Sequence, residues 1–147
     1  MSDTEQILVF TIGEGEYCIP IEYVAEIVEV TEIRSVPNTE PHVEGVTSLR
    51  GQTTTMINPA VVLDAEMNPG ELRPSNTDGK AIVFDSDALD NESQIGWLVS
   101  TINNVEKTDE KELDVGVGSD SPVIRGVLKN DERNGFTVWL DPHNLTE

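Results

Sequence analysis

The chain has few of the residue types from which most catalytic and metal centres are built. Its 147 residues include one cysteine and two histidines. A single cysteine excludes an intrachain disulfide and cannot complete a cysteine-rich zinc site. His42 and His143 each stand beside a proline, outside any metal-binding motif, and the sequence has no glycine-rich phosphate loop. We therefore expect no catalytic residue, no metal and no cofactor.

The cysteine itself, Cys18, lies in the apolar stretch Tyr17-Cys18-Ile19 of a predicted strand. We expect a buried structural thiol, because free cysteine commonly packs as a small apolar residue. The alternative is a reactive thiol paired with a histidine. The scarce aromatic residues Phe10, Phe84, Trp97 and Trp139 also fall on predicted strands and are expected in the core.

Basic residues are scarce too. Nine Lys and Arg face 28 Asp and Glu, a formal net charge of −19. Such a surface repels nucleic-acid phosphate and anionic lipid, so neither is expected as a partner. The acids run from Asp3 to Glu147, and lysine is depleted. This pattern is typical of proteins from a salt-loaded cytoplasm and predicts a halophilic, archaeal source. The alternative is a localised acidic binding patch.

Long apolar runs are also missing. None reaches the ~18–20 residues of a membrane-spanning helix. The acidic N-terminus lacks the basic and then apolar pattern of a secretory signal, so we expect a cytoplasmic protein. Helical patterns are nearly absent as well. Pro20 to Ile27 is predicted as a short helix, since proline suits a first helical position and Ile21 and Val24 share a face. A single turn is predicted for Pro142 to Leu145.

The sequence does contain a diverged internal repeat. The apolar strand Ile7–Phe10 opens the first half, and Ala81–Phe84 opens the second. Further equivalent pairs follow in the same order: 21–27 with 99–105, Gly45 with Gly126, and Asn58-Pro59 with Asp141-Pro142. The ordered pairs favour two similar lobes over a chance likeness between β segments.

The turn residues between the strands favour two small β-barrels, because a closed barrel hides its strand edges. A barrel of about 60 residues is marginally stable alone, so the two should pack together, with strands crossing between them. We predict a single, mainly all-β domain over 1–147. Its first lobe spans about 7–65, a surface loop about 66–79, and the second lobe about 80–145.

One segment of the first half carries a candidate binding residue. Arg50 precedes Gly51, which is predicted to need an unusual backbone angle. The guanidinium fork suits a carboxylate, and Glu26 is a candidate partner. The alternative is an ordinary solvated charge, since exposed ion pairs contribute about 0–1 kcal/mol. Residue types alone do not decide between them.

A family resemblance decides in favour of a binding role for Arg50. The segment from Gly45 to Gly51, GVTSLRG, resembles the G-V-x-N-L-R-G signature of the CheW family of chemotaxis coupling proteins. Residues 8–19 are similar to that family's L-V-F-x-L-x-x-x-x-Y-x-I pattern, 24–27 to its V-x-E-I element, and 36–38 to its V-P-N turn. The likeness spans about 7–145, in family order. Ser48 replaces the signature asparagine and Asn58 the family's aspartate, which questions the local turn geometry.

The resemblance implies two SH3-like five-stranded barrels on a shared core. It implies a non-catalytic adaptor that couples the cytoplasmic tips of methyl-accepting chemoreceptors to the regulatory domain of the histidine kinase CheA. Receptor contact, in the groove between the barrels, is implied for Val24, Glu26, Gly45, Val46, Arg50 and Gly51. Glu26 is expected to position Arg50.

Other functions are kept as alternatives. They are a small-molecule-binding β-barrel, the coupling module of a larger protein, and a hydrolase that uses Cys18. The end of the chain at Glu147, directly after the second repeat, favours a stand-alone adaptor.

Overall fold

The structure, a computed structural model, consists of two five-stranded sheets. It describes residues 4–12, 15–30, 32–37, 42–49, 51–59, 80–85, 87, 94–109, 113–114, 123–130 and 135–142. The strands are β1 (Thr4–Ile12), β2 (Gly15–Pro20), β3 (Val24–Glu29), β4 (Val43–Leu49), β5 (Gln52–Ile57), β6 (Lys80–Phe84), β7 (Gln94–Val99), β8 (Thr101–Asp109), β9 (Ile124–Asn130) and β10 (Gly135–Leu140).

Each sheet takes strands from both halves of the chain. The first sheet has the order β8-β1-β2-β10-β9 and the second the order β3-β6-β7-β5-β4. The expected crossing of strands is therefore extensive: β1 and β2 leave the first half to pair in the first sheet, and β6 and β7 leave the second half to pair in the second. The two sheets do not coincide with the segments 7–65 and 80–145. The predicted loop 66–79 lies outside the described residues.

A short backbone bridge joins the two edges of each sheet and closes it into a barrel. We call the closed first sheet the first barrel and the closed second sheet the second barrel. Arg34, beyond the edge strand β3, bridges Val46 on the opposite edge strand β4, with two N–H···O distances of 2.8 Å. In the first sheet Asp114, beyond β8, bridges Val127 on β9 at 2.9 and 3.1 Å. Both rings close in the same way, which satisfies edge groups that would otherwise be open to another strand.

A glycine stands beside each closing bridge. A Cβ at Gly45 would collide with the carbonyl oxygen of Arg34, and a Cβ at Gly126 would collide with that of Asp114. Gly45 also has φ +148°. The paired glycines of the repeat are therefore explained by the close approach of the chain's own backbone at each closure.

The core lies both between the sheets and within the barrels. On β1, Leu8 and Phe10 face the second sheet, whereas Ile7 and Val9 face the interior of their own barrel with Cys18. This alternation follows from the two-residue period of a strand. The aromatics predicted in the core are confirmed as buried, and the rings of Phe84 and Trp97 meet edge to face at 4.9 Å.

The predicted helix over Pro20 to Ile27 is wrong. Only Ile21–Tyr23 forms a turn of 3-10 helix, and β3 starts at Val24. The β-branched residues of this segment suit a strand, and pairing with β6 satisfies its backbone groups, which a short isolated helix would not achieve. The turn predicted at Pro142 to Leu145 lies mostly outside the described residues.

The closure predicts the cost of adding a methyl group at each of the two glycines. Gly45→Ala and Gly126→Ala should each lower the free energy of unfolding by roughly 1–3 kcal/mol, the usual range for overpacking. The loss of free energy of unfolding should be larger for Gly45→Ala than for Gly126→Ala, because an alanine at position 45 is also strained by the positive φ. Denaturant melts measure both, with exposed Ser48→Ala as the control. Wild-type stability in both glycine variants would contradict the closure.

The buried thiol predicts how stability changes with pH. Burial, and secondarily the charge of Glu106, raises the pKa of Cys18 far above its ordinary range. Above about pH 8.5 the unfolded chain loses this proton and the folded chain keeps it, so the free energy of unfolding should fall by about 1.4 kcal/mol per pH unit. Urea melts between pH 8 and 10 should show this slope in wild type and not in Cys18→Ala; equal slopes would refute the assignment.

Candidate protein-binding surface

Five of the six sequence-predicted site residues lie on the second barrel. Val24 and Glu26 are on β3, Gly45 and Val46 on β4, and Gly51 is in the turn that follows. Gly51 has φ +79° and open space around it, which confirms the predicted unusual backbone angle. The sixth residue, Arg50, lies outside the described residues, so its pairing with Glu26 stays a prediction.

The two strands that carry these residues are the opposite edges of one sheet. The closing bridge between Arg34 and Val46 joins the edges, so β3 and β4 belong to one closed surface. Glu26 is half-buried and stands opposite Val83 on β6. Gly45 is buried at the closure, where the approaching backbone is that of Arg34 rather than a partner's.

A groove of about 420 Å³ opens beside the closing bridge. The side chains around it are mostly short and polar, with one carboxylate and one guanidinium among those described; they are Glu32, Arg34, Val46, Thr47, Ser48 and Thr53. The Thr47 hydroxyl donates to the Glu32 carbonyl at 2.7 Å. The Arg34 Nε lies 3.9 Å from the Glu32 carboxylate, and both side chains are largely exposed.

Two apolar residues that were not among the sequence-predicted site residues are exposed on edge strands, one on each sheet. Ile27 on β3 is 43% exposed, and Val105 on β8 is 50% exposed. Ile27 stands opposite Ile82, and Val105 opposite Leu8, so each extends a row of core side chains onto an edge strand. The internal repeat could have predicted that the two are equivalent, because it aligns residues 21–27 with 99–105 and so pairs position 27 with position 105.

On each of these two edge strands, the residue three positions before the exposed one packs against the core. Val24 and Ile102 are partly buried and pack against the core cluster that both sheets share. The chain passes between the sheets just before each of them, at the 3-10 turn and at Ser100, whose N–H donates to the Thr11 carbonyl at 2.9 Å. Ile27 on one barrel and Val105 on the other therefore both lie beside the core that the two barrels share.

The replacement of the family's aspartate leaves an ordered turn. The amide of the Asn58 side chain donates to the Glu44 carboxylate at 3.1 Å, and its backbone N–H donates to the His42 carbonyl at 2.7 Å. A side-chain amide takes part in this contact by donating, which an aspartate would not do. The connection that ends β5 is thus held to the start of β4.

In the described parts of the chain, no three His, Cys, Asp or Glu side chains are placed to hold a metal ion. The Cys18 thiol is buried in the first barrel. No helix among the described segments is both long and apolar enough to cross a membrane.

Comparison with known proteins decides the family. Residues 6–147 match the model of the CheW-like domain. This chain belongs to the CheW-like family. The chemotaxis protein CheW of Thermotoga maritima is 26% identical over 144 residues, covering 97% of this chain and 87% of the relative. That of Bacillus subtilis is 28% identical over 133 residues, covering 88% and 80%.

A solved CheW structure confirms the fold. The scaffolding protein CheW from Thermoanaerobacter tengcongensis superposes with a TM-score of 0.79 at 22% sequence identity, covering 97% of this chain and 88% of the other. The predicted all-β architecture of two SH3-like five-stranded barrels is thereby confirmed. The CheW family is a scaffold and adaptor family that is generally non-catalytic, and at the level of the family this agrees with the expected lack of catalysis.

Proposed function

We propose that this protein is a chemotaxis adaptor that couples methyl-accepting chemoreceptors to the regulatory domain of the histidine kinase CheA, in the cytoplasm at receptor arrays. Its membership of the CheW-like family supports the adaptor role. An adaptor of this kind needs binding surfaces rather than a reaction centre. The two partners are those that the family resemblance implies.

The observation that carries the receptor site is the pair of exposed apolar residues at equivalent places on the two barrels. A receptor tip is a helical hairpin with an apolar face, and such a face is commonly recognised in a groove lined by apolar side chains. Ile27 and Val105 are 43% and 50% exposed beside the shared core, so a helix lying over them would bury them without any rearrangement of the barrels.

The sequence-predicted receptor residues extend this surface. Val24 and Glu26 share β3 with Ile27. Gly45, Val46 and Gly51 hold the β4 edge and the turn after it, next to Arg50 in the chain. In our proposal the Arg50 guanidinium pairs with a carboxylate, Glu26 or one on the receptor, and fixes the register of the bound helix.

The receptor site predicts a matched set of binding results. Ile27→Ala with Val105→Ala should weaken binding of a receptor cytoplasmic fragment by about 10-fold or more, because the double variant removes several apolar carbons and each one buried by the receptor contributes about 0.8 kcal/mol. Arg50→Ala should weaken the same binding, and both variants should still bind the kinase regulatory domain. Calorimetry in molar KCl measures each affinity.

Phe136→Ala is the control for that experiment. Phe136 is apolar and 64% exposed, but it lies on β10 opposite Lys129, and two strands, β1 and β2, separate β10 from β8 in the order of the first sheet. Receptor affinity should be unchanged in this variant. Wild-type receptor affinity in the Ile27/Val105 double variant would sink the proposed site, and a folded wild type that binds neither partner would sink the adaptor role.

We also propose that the acidic composition is an adaptation to a salt-loaded, halophilic cytoplasm. With a net charge of −19, repulsion among carboxylates destabilises the compact state at low ionic strength. Molar salt shortens the Debye length to about 3 Å and removes most of that repulsion.

This adaptation predicts a strong dependence of thermal stability on salt. The Tm should rise by about 10 °C or more between 0.1 and 2 M KCl. Salt should relieve a few kcal/mol of repulsion, and each kcal/mol raises the Tm of a domain of this size by several degrees. A scan with NaCl in parallel separates screening from a specific effect of potassium. A Tm that is flat or falls with KCl would refute the adaptation.

A further inference from the structure

Two polar atoms inside the second barrel have no hydrogen-bond partner among the residues that the structure describes. They are the hydroxyl of Thr54 on β5 and the side-chain oxygen of Gln94 on β7. Thr54 is fully buried, and the Gln94 oxygen is also shielded from solvent. The two residues are register partners in the parallel pairing of β5 with β7, so their side chains leave the same face of the sheet side by side. A buried polar group without a partner is costly, and native proteins contain few of them.

The equivalent pair in the first barrel is bonded directly. Thr54 and Thr137 are equivalent in the repeat, because each lies four residues before the polar residue and proline that close its half. The Thr137 hydroxyl donates to the carboxylate of Glu16 at 2.5 Å, across the parallel pairing of β10 with β2. At the corresponding place the second barrel has the neutral amide of Gln94. Both barrels therefore set a threonine beside an oxygen-bearing side chain, and in the first barrel the two meet without a third group.

The layer of side chains next to this pair is smaller in the second barrel. Two residues further along the same strands, the first barrel has the buried register partners Trp139 and Cys18. The second barrel has Met56 and Gly96 there. A methionine and a glycine have far fewer side-chain atoms than a tryptophan and a cysteine. The second barrel therefore has less side-chain volume in the layer beside Thr54, which leaves space for a small ligand.

Thr47 places the pair close to solvent. It is the register partner of Thr54 on β4, and it also lines the groove beside the closing bridge. Its hydroxyl proton is donated to the Glu32 carbonyl at 2.7 Å, so this proton is not available to the Gln94 oxygen. The pair of Thr54 and Gln94 thus lies directly behind the groove, which gives a small molecule a short path to it.

We infer that one water molecule binds between Thr54 and Gln94 and bridges their side chains. Water has the required chemistry, because it accepts a hydrogen bond from the hydroxyl and donates one to the amide oxygen at the same time. Buried waters in proteins typically bond polar groups that have no other partner. This water ties β5 of the first half to β7 of the second half, as the direct bond between Thr137 and Glu16 ties β10 to β2.

A crystal structure of the full chain tests the site directly. It should show one ordered water at hydrogen-bonding distance, about 2.7–3.2 Å, from both the Thr54 hydroxyl and the Gln94 oxygen. A direct bond between the two side chains would overturn the inference, and so would the lack of ordered density between them. An ion at the same place, recognised by its anomalous scattering, would overturn it as well.

The sign of one stability change provides the second test. Thr54→Val keeps the shape and removes the hydroxyl, so it should lower the Tm by about 2–4 °C, as expected for one lost hydrogen bond in a chain of this size. If the hydroxyl had no partner, the same change would remove the cost of burying it and would not lower the Tm. Thr53→Val, the same change at the exposed neighbouring position, is the control and should stay within about 1 °C of wild type.

The two measurements decide together. A Tm of Thr54→Val at or above that of wild type, corrected for the shift in Thr53→Val, would overturn the inference. Thr137→Val should also lower the Tm, because it breaks the direct bond to the Glu16 carboxylate in the first barrel. The crystal structure of the wild type decides by itself if Thr54→Val does not fold.

Discussion

The closing of each five-stranded sheet by one backbone bridge is the constraint on which the other features depend. The bridge requires a carbonyl to approach the opposite edge strand so closely that only glycine fits there, at Gly45 and at Gly126. Once the edges are joined, each sheet has an interior, and the outer face of the first sheet becomes available to pack on the second. The edge strands β3 and β8 then lie at the border of the shared core, where Ile27 and Val105 are exposed.

The repeat gives this arrangement an approximate internal symmetry. The halves exchange hairpins, so that neither sheet can form from one half alone. Exchange joins the barrels through strands and a common core rather than through a flexible linker, which suits a scaffold that must hold two partners in a fixed relation. It also explains why segments of about 60 residues, each marginal alone, are stable together.

Much of the fold could be predicted from the sequence because strand pattern and turn residues are local signals. The buried aromatics, the structural Cys18 and the unusual angle at Gly51 all followed from such signals and are confirmed. The helix predicted at Pro20 to Ile27 was wrong because proline and a short apolar spacing are consistent with a helix, while the pairing of β3 with β6 is set by tertiary structure.

The candidate site was less predictable, for the same physical reason. A sequence motif marks Arg50 and its neighbours, but exposure is a property of the assembled sheets. The exposed state of Ile27 and Val105, and the placement of Arg34 beside Ser48 and Thr53, depend on which strands become edges and where the edges close. The family resemblance implies a partner contact at Gly45, which stays a prediction; the structure adds a second reason for this glycine, because a Cβ there would collide with the Arg34 carbonyl.

In our proposal, one chain holds a receptor and a kinase at the same time on separate surfaces. Analytical ultracentrifugation of the three components in molar KCl tests it most directly, with receptor fragment and kinase regulatory domain mixed first without and then with this protein. Our account predicts one faster-sedimenting species that contains all three proteins and forms only when this chain is present. Two binary complexes that compete with each other, with no ternary species, would contradict it.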